Sequence, residues 1–313
     1  MTAPTKGRSP MAFSRSFEAA GIKSLKKPLF NECLLPDIKK GEVFPAVREN
    51  RIDFYYKGGC LFSFKRPTFK THYKYASVIR NDSGSDYVSE KNLHAIKKFK
   101  EGYERIKDNC AHYSGVEAQG VSRLYGNYSC AKRHRASNVV VLDIEVFLRR
   151  GREPEEVEPG ADSQRESDRI DLLLFDTNRR WLRFFEVKDY SNKDIRISEN
   201  AQKVAEQMDG YEKRLNTAKA EILAAYKEHV GIINKLFKPA KKLPMPQAID
   251  PTPGLLMFGY DLDQHDGKLR DIVNHLEKRG IFVYTKGDIN NLKPSTLFNG
   301  GKNRWRVPLK SQS

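Results

Sequence analysis

Two apolar runs, Arg169-Ile170-Asp171-Leu172-Leu173-Leu174-Phe175-Asp176 and Trp181-Leu182-Arg183-Phe184-Phe185-Glu186-Val187-Lys188-Asp189, flank a short polar turn. They read as two antiparallel strands. The midpoint of positions 171 and 186 falls between Asn178 and Arg179. A loop centred there, with an even number of residues, sets Asp171 directly opposite Glu186, with Cβ atoms roughly 5 Å apart. Lys188 lies two positions beyond Glu186 and shares its face. A slip of one residue would send Asp171 to the other side of the sheet.

Two acids and one amine then converge on otherwise apolar strands. Buried like charges raise each other's pKa and do not help a core to pack. A divalent cation removes that conflict, because hard Mg²⁺ takes carboxylate oxygens and keeps several waters. It would acidify a water and neutralise charge on a phosphate. Lys188 would orient the nucleophile or hold the phosphate as a point charge. The competing reading is an ordinary surface ion pair, Glu186–Lys188 or Asp171–Lys188, worth at most ~1 kcal/mol.

Working outward, Asn138–Leu148 is an almost continuous apolar run, as expected of a strand covered on both faces. Residues 151–169 concentrate Glu, Pro and Gly and read as a flexible acidic connection. A long helix is predicted from Glu199 past Tyr226, with Ala201, Val204, Met208, Tyr211, Leu215, Ala218 and Ile222 as its apolar stripe. Residues 235–253, rich in Pro and Lys, read as a loop. Gly254–Tyr260 and Ile281–Tyr284 read as strands around a helix at Asp271–Lys278. A helix at Gly115–Tyr125 precedes this series. The expected core, residues 91–310, is α/β, a mixed central sheet flanked by helices.

Toward the N-terminus, Lys57-Gly58-Gly59 separates two aromatic-rich runs and reads as a hairpin turn. Phe69 to Val78 adds a further strand, giving a small β-rich domain over 41–90. A helix is expected from Ser89 to Arg105. Residues 1–40 show weak periodicity and several breakers, and are expected to be a poorly ordered basic segment.

The formal charge of +16 points to a polyanionic partner, nucleic acid above all. Lys57, Lys65, Arg66, Lys70 and Lys74 lie among aromatics, as nucleic-acid contacts or as the wet side of a small β core. Two further basic patches are Lys235, Lys238, Lys241 and Lys242, and Lys132, Arg133, His134 and Arg135. No apolar run is long enough to span a bilayer, so no membrane role is expected. Cys33, Cys60, Cys110 and Cys130 form no Cys-x-x-Cys pair, which removes the usual zinc and iron–sulfur signatures. Widely spaced cysteines and a basic, Ser-rich start without an apolar h-region fit a cytoplasmic protein.

The Asp171…Glu186-Val187-Lys188 pattern resembles the Asp…Glu-x-Lys core of PD-(D/E)xK nucleases. Gln207-Met208-Asp209-Gly210-Tyr211 is similar to the Gln-x-x-x-Tyr motif of the RecB-like and Cas4-like branch. The resemblance covers roughly residues 115–290. It implies a restriction-endonuclease-like core and a Mg²⁺- or Mn²⁺-dependent nuclease acting on nucleic acid, DNA first. Asp171, Glu186 and the backbone carbonyl of Val187 would hold metal, Lys188 would serve the water, and Gln207 and Tyr211 would border the substrate strand. Generic amphipathic packing is the other account of Gln207 and Tyr211. Many members add an acid on an upstream helix. Glu117 stands in that order, with a solvated helix residue as its alternative. Glu145, the alternative acid, and Asp143 share a strand face and either line the pocket or meet solvent at a sheet edge. Arg169-Ile170 stands where the family often has Pro, and the Cas4-type cysteine cluster is absent. The expected roles are defence against phage or plasmid DNA, or DNA repair, with a homodimer compatible. A nucleic-acid-binding module that no longer cleaves is the alternative.

Overall fold

Burial of β-branched and aromatic runs on both faces drives the C-terminal half into one sheet. The structure, a computed structural model, describes residues 13–79, 89–135, 137–148, 169–196 and 198–298. Five strands are built from the runs read above: β7 (Val139–Phe147), β8 (Arg169–Asp176), β9 (Trp181–Asp189), β10 (Ala248–Phe258) and β11 (Phe282–Lys286). Their order across the sheet is β11-β10-β9-β8-β7. Strands β7, β8 and β9 are antiparallel neighbours, whereas β10 runs parallel to both β9 and β11. The sheet is mixed, as the sequence led us to expect.

Parallel neighbours need crossover connections, and helices supply them. Ser198–Thr217 (α5) and Lys219–Leu236 (α6) link β9 to β10, and Arg270–Lys278 (α7) links β10 to β11. The single helix expected from Glu199 past Tyr226 is therefore two. Near the break, Thr217 Oγ1 donates to the Lys213 carbonyl at 2.8 Å and Asn216 Nδ2 to the Glu212 carbonyl at 3.1 Å. Such side chains compete with the helix ladder. Strand β10 begins inside the loop expected over 235–253. Its two prolines, Pro251 and Pro253, fall where the register with β9 shifts between Asp250 and Gly254. Proline is tolerated there because no ladder bond is required. The acidic connection expected over 151–169 lies outside the described residues except for Arg169.

The N-terminal strands β1 (Val43–Arg48), β2 (Arg51–Tyr56), β3 (Gly59–Lys65) and β4 (Thr68–Lys70) form an antiparallel sheet in sequence order. Lys57 and Gly58 make the β2–β3 turn with φ of 46° and 92°. A Cβ on Gly58 would stand 2.5 Å from the Ala118 backbone, so only glycine fits. Ala118 belongs to Val116–Tyr128 (α4). The strand expected over Phe69–Val78 is interrupted by a helical turn at Tyr73–Ala76, after which Ser77–Ile79 (β5) pairs with Leu93–Ala95 (β6). The helix expected from Ser89 instead begins at Tyr103 and ends at His112 (α3).

Residues 13–40 do not behave as a poorly ordered segment. Ala19–Leu25 (α1), a π-helical stretch Leu29–Leu34 and Leu35–Lys40 (α2) bury Ile22, Leu25, Leu29, Phe30, Leu34 and Ile38. Pro28, Pro36 and the π-helical stretch break the 3.6-residue stripe, so its apolar face does not show as one window. These residues join a single apolar cluster that runs through both sheets. The Phe30 and Phe237 rings lie 6.4 Å apart, and those of Phe44 and Tyr125 5.2 Å apart.

A buried ion cluster fastens the N-terminal part to the core. Asp143 on β7 is fully buried. It accepts from Arg15 Nε at 3.0 Å, Arg48 Nη1 at 2.7 Å and the Tyr226 hydroxyl at 2.9 Å. Asp143 therefore neither lines a pocket nor meets solvent. Burial opposes its charge, but Arg48 and Arg15 outweigh burial and hold its pKa down at about 2. Asp143→Ala would remove the acid that buried Arg15 and Arg48 share, leaving Arg48 with Asp53 at 3.7 Å, a loss of about 3–5 kcal/mol read from the urea midpoint. The depressed pKa gives stability that is present above the unfolded value of about 3.9 and is lost as pH falls through about 2. The gap between wild type and variant should therefore narrow across that interval.

Candidate active site

The β8–β9 register decides the site. Leu172 pairs with Phe185, Leu173 with Phe184, and so on to Asp176 with Trp181. Continuing the register by one step places Asp171 opposite Glu186, on the face that also carries Lys188. On the other side of β8, Glu145 falls between the pairs Ile144–Leu172 and Val146–Ile170, and so opposite Asp171. Glu145 has a φ of 52°, which is uncommon for a residue with a Cβ and costs of order 1–3 kcal/mol.

A hydrogen-bonded network joins these groups. Lys188 Nζ stands 2.8 Å from Glu186 Oε1, and Gln207 Nε2 donates to the same oxygen at 3.1 Å. Gln207 Nε2 also donates to the Tyr211 hydroxyl at 2.7 Å, and that hydroxyl donates to the Arg169 carbonyl. The i, i+4 spacing puts both side chains on one face of α5. The Val187 amide donates to Asp171 Oδ2 at 2.8 Å. The structure thus brings together Asp171, Glu186, Val187, Lys188, Gln207 and Tyr211.

Glu117 reaches the same place from the first turn of α4. Its Oε1 accepts from the Asp189 amide at 3.1 Å and from Asn192 Nδ2 at 2.6 Å. Its charge acts on both Glu186 and Lys188. Glu117, Glu145, Arg169, Asp171, Asp189 and Asn192 line a cavity of about 340 Å³. Glu186 lies deeper, 2% exposed. Arg169 Nε pairs with Glu145 at 2.8 Å.

The sequence reading passed over Arg169, Asp189, Ser191 and Asn192. One signal was present: Asp189-Tyr190-Ser191 is a side-chain-capped turn, with the Ser191 amide donating to Asp189 Oδ1 at 2.8 Å. The partner of that turn was not visible. Gly259, at φ 79°, packs so close to Asp189 that a Cβ would lie 2.2 Å from its Oδ2.

The charge balance is uneven. Burial raises the Asp171 pKa well above the usual carboxylate range, and Glu186 raises it further. Burial also raises Glu186, against the pull of Lys188. Burial works against the Lys188 ammonium, but Glu186 and Asp171 outweigh it and lift its pKa above the ordinary lysine value. Glu186 Oε2 is buried with no hydrogen-bond partner among the described residues. Among those residues, no group of three or more His, Cys, Asp or Glu stands close enough together to hold a metal ion. No helix there is long and apolar enough to cross a membrane.

No protein-family model, curated protein or solved structure matches the chain.

A raised carboxyl pKa means stability that is present below the unfolded value and is lost as pH rises through the folded one. Asp171→Asn is therefore expected to raise the melting temperature of metal-free protein at pH 8, with the gain vanishing near pH 4. Lys188→Met should do the reverse at pH 8, costing about 3–5 kcal/mol by leaving buried carboxylates without their cation. Thermal melts at the two pH values check both.

Proposed function

We propose that the protein is a divalent-metal-dependent nuclease of the PD-(D/E)xK type, hydrolysing phosphodiester bonds of nucleic acid, DNA first. The observation that carries this reading is the pair of incompletely neutralised carboxylates, half-buried Asp171 and buried Glu186, beside Lys188. A core built for stability alone would not keep two such acids with one cation. Glu186 Oε2 without a partner is the further sign that the donor set fits a cation.

Asp171 and Glu186 would hold the metal, with the Val187 carbonyl as a further donor. Fewer than three protein acids suit Mg²⁺, which is usually held by one or two carboxylates, waters and substrate phosphates. When bound, the ion supplies acidification of water and neutralisation of charge at the phosphate. The chain's own residues do the rest. Lys188, against Glu186 at 2.8 Å, acts as a donor and a fixed positive charge. Gln207 fixes the Glu186 carboxylate and ties it to Tyr211. Asn192 and the Asp189 amide fix Glu117. The cavity beside Asp171 offers room for a phosphate, with Arg169 at its wall.

A second reading, a nucleic-acid-binding module that does not cleave, draws on the direct Lys188–Glu186 contact and the lack of a three-acid cluster. One assay separates the two. Supercoiled and linear DNA, single-stranded DNA and RNA are incubated with Mg²⁺, Mn²⁺ or EDTA. Metal-dependent cleavage is expected, falling about 100-fold or more in Asp171→Asn, Glu186→Gln and Lys188→Met. Cleavage unchanged in these variants would reject the site, and wild-type binding without cleavage under any metal would favour the second reading.

A further inference from the structure

The candidate site lies where β7 ends, β8 begins and β9 and β10 end. A different set of charges gathers at the opposite end of the same sheet. There the Thr177 amide donates to the Asn138 carbonyl at 2.8 Å, and the Gln247 amide to the Arg180 carbonyl at 2.8 Å. Just beyond lie two segments far apart in sequence. The Ala240 amide donates to the Arg133 carbonyl at 3.0 Å, the Arg133 amide to the Lys39 carbonyl at 3.1 Å, and Arg135 Nη2 to the Lys241 carbonyl at 2.6 Å. Two basic patches that the sequence keeps roughly a hundred positions apart thus become one.

Lys39, Arg133, His134, Lys238, Lys241 and Lys242 are all exposed there. No Asp or Glu occurs in 118–142 or in 229–249, the stretches that carry most of these cations. Lys39, Arg133, Lys238, Lys241 and Lys242 pair with no carboxylate among the described residues. Lys40, by contrast, stands within 4.0 Å of Asp37 and Glu42. Arg135 Nη1 is buried and finds no acceptor among the described residues. Concentrated cations without counter-charges repel one another, and a bound polyanion relieves that repulsion. The Ala240–Arg133 backbone bond and the Arg135–Lys241 bond hold the two segments side by side rather than as loose tails.

We infer that this surface binds the phosphate backbone of a nucleic acid, on the order of 20 Å from the carboxylate pair at roughly 3.3 Å per strand residue. The choice of nucleic acid over other polyanions rests on the nuclease reading. The surface itself rests on the charges. Contacts of this kind position a polynucleotide and carry no sequence information. The surface needs no metal, so it would hold nucleic acid whether or not the distant site is loaded.

The test is binding of a short labelled duplex in EDTA, followed by anisotropy across a salt series. The variant carries Arg133→Glu, Lys238→Glu, Lys241→Glu and Lys242→Glu. A control of equal net charge carries Lys91→Glu, Lys97→Glu, Lys268→Glu and Lys278→Glu. Each lost phosphate contact lowers the log–log salt slope by ~0.9, so the variant's slope should fall by about 3–4 and its affinity by tenfold or more. The control should stay near wild type. If the glutamates prevent folding, the same four positions changed to Gln give the same readout at smaller size. A slope unchanged in a folded variant overturns the inference. So does a variant that loses only binding to phosphatidylserine vesicles and keeps duplex binding. Cleavage with Mg²⁺ is scored in parallel. Wild type that binds through this surface but cuts nothing leaves the surface standing and removes the nuclease reading. Wild type that cuts normally while the variant's slope is unchanged removes only the surface.

Discussion

The candidate site depends on the partial desolvation of two carboxylates on adjacent strands, with one ammonium group against Glu186. Charge taken out of water is costly unless it is paired and hydrogen-bonded. Here the pairing is incomplete. Lys188 and Gln207 satisfy one oxygen of Glu186 and leave the other without a partner. The Val187 amide serves Asp171. Burial raises both pKa values, with Glu186 adding to the rise at Asp171 and Glu117 to the rise at Glu186. Such a cluster holds its charge only if something positive joins it.

The same fold holds a second buried ion cluster with the opposite balance. Asp143 has two guanidiniums, a tyrosine hydroxyl and the Ile144 amide around it, and its pKa lies below the ordinary range. An acid held between two guanidiniums is a structural fastening, drawing Arg15 and Arg48 from the N-terminal part onto β7. Two acids with one cation make a poor fastening. The contrast separates a tie from a site within one sheet face, only a few residues apart along β7 and β8.

The sheet also has two ends of opposite charge. Carboxylates collect at one end, and unopposed cations at the other. The parallel strands β9 and β10 end at the first, where helix α4 delivers Glu117 and helix α5 delivers Gln207. At the second, the loop before β10 meets the loop before β7. A net charge of +16 says only that polyanions are attracted. The distribution shows where the attraction is least opposed.

The hairpin register, the strand pattern from β7 to β11 and the opposed placement of Asp171 and Glu186 were legible because they are local. Alternation, turn length and midpoint arithmetic are carried by neighbouring residues. Tertiary contacts decided the rest. Residues 13–40 packed because the core offered them an apolar face, although their own stripe was broken by Pro28, Pro36 and a π-helical stretch. Asp143 and Glu145 had the same spacing argument, and only the arrival of Arg15, Arg48 and Tyr226 made the first an anchor and left the second at the cavity. Arg169, Asp189 and Asn192 gained their places from partners 24 to 75 positions away. The joining of the two basic patches is of the same kind. Sequence periodicity reports which face a side chain takes, while the identity of what covers that face comes from chain segments that folding alone brings near.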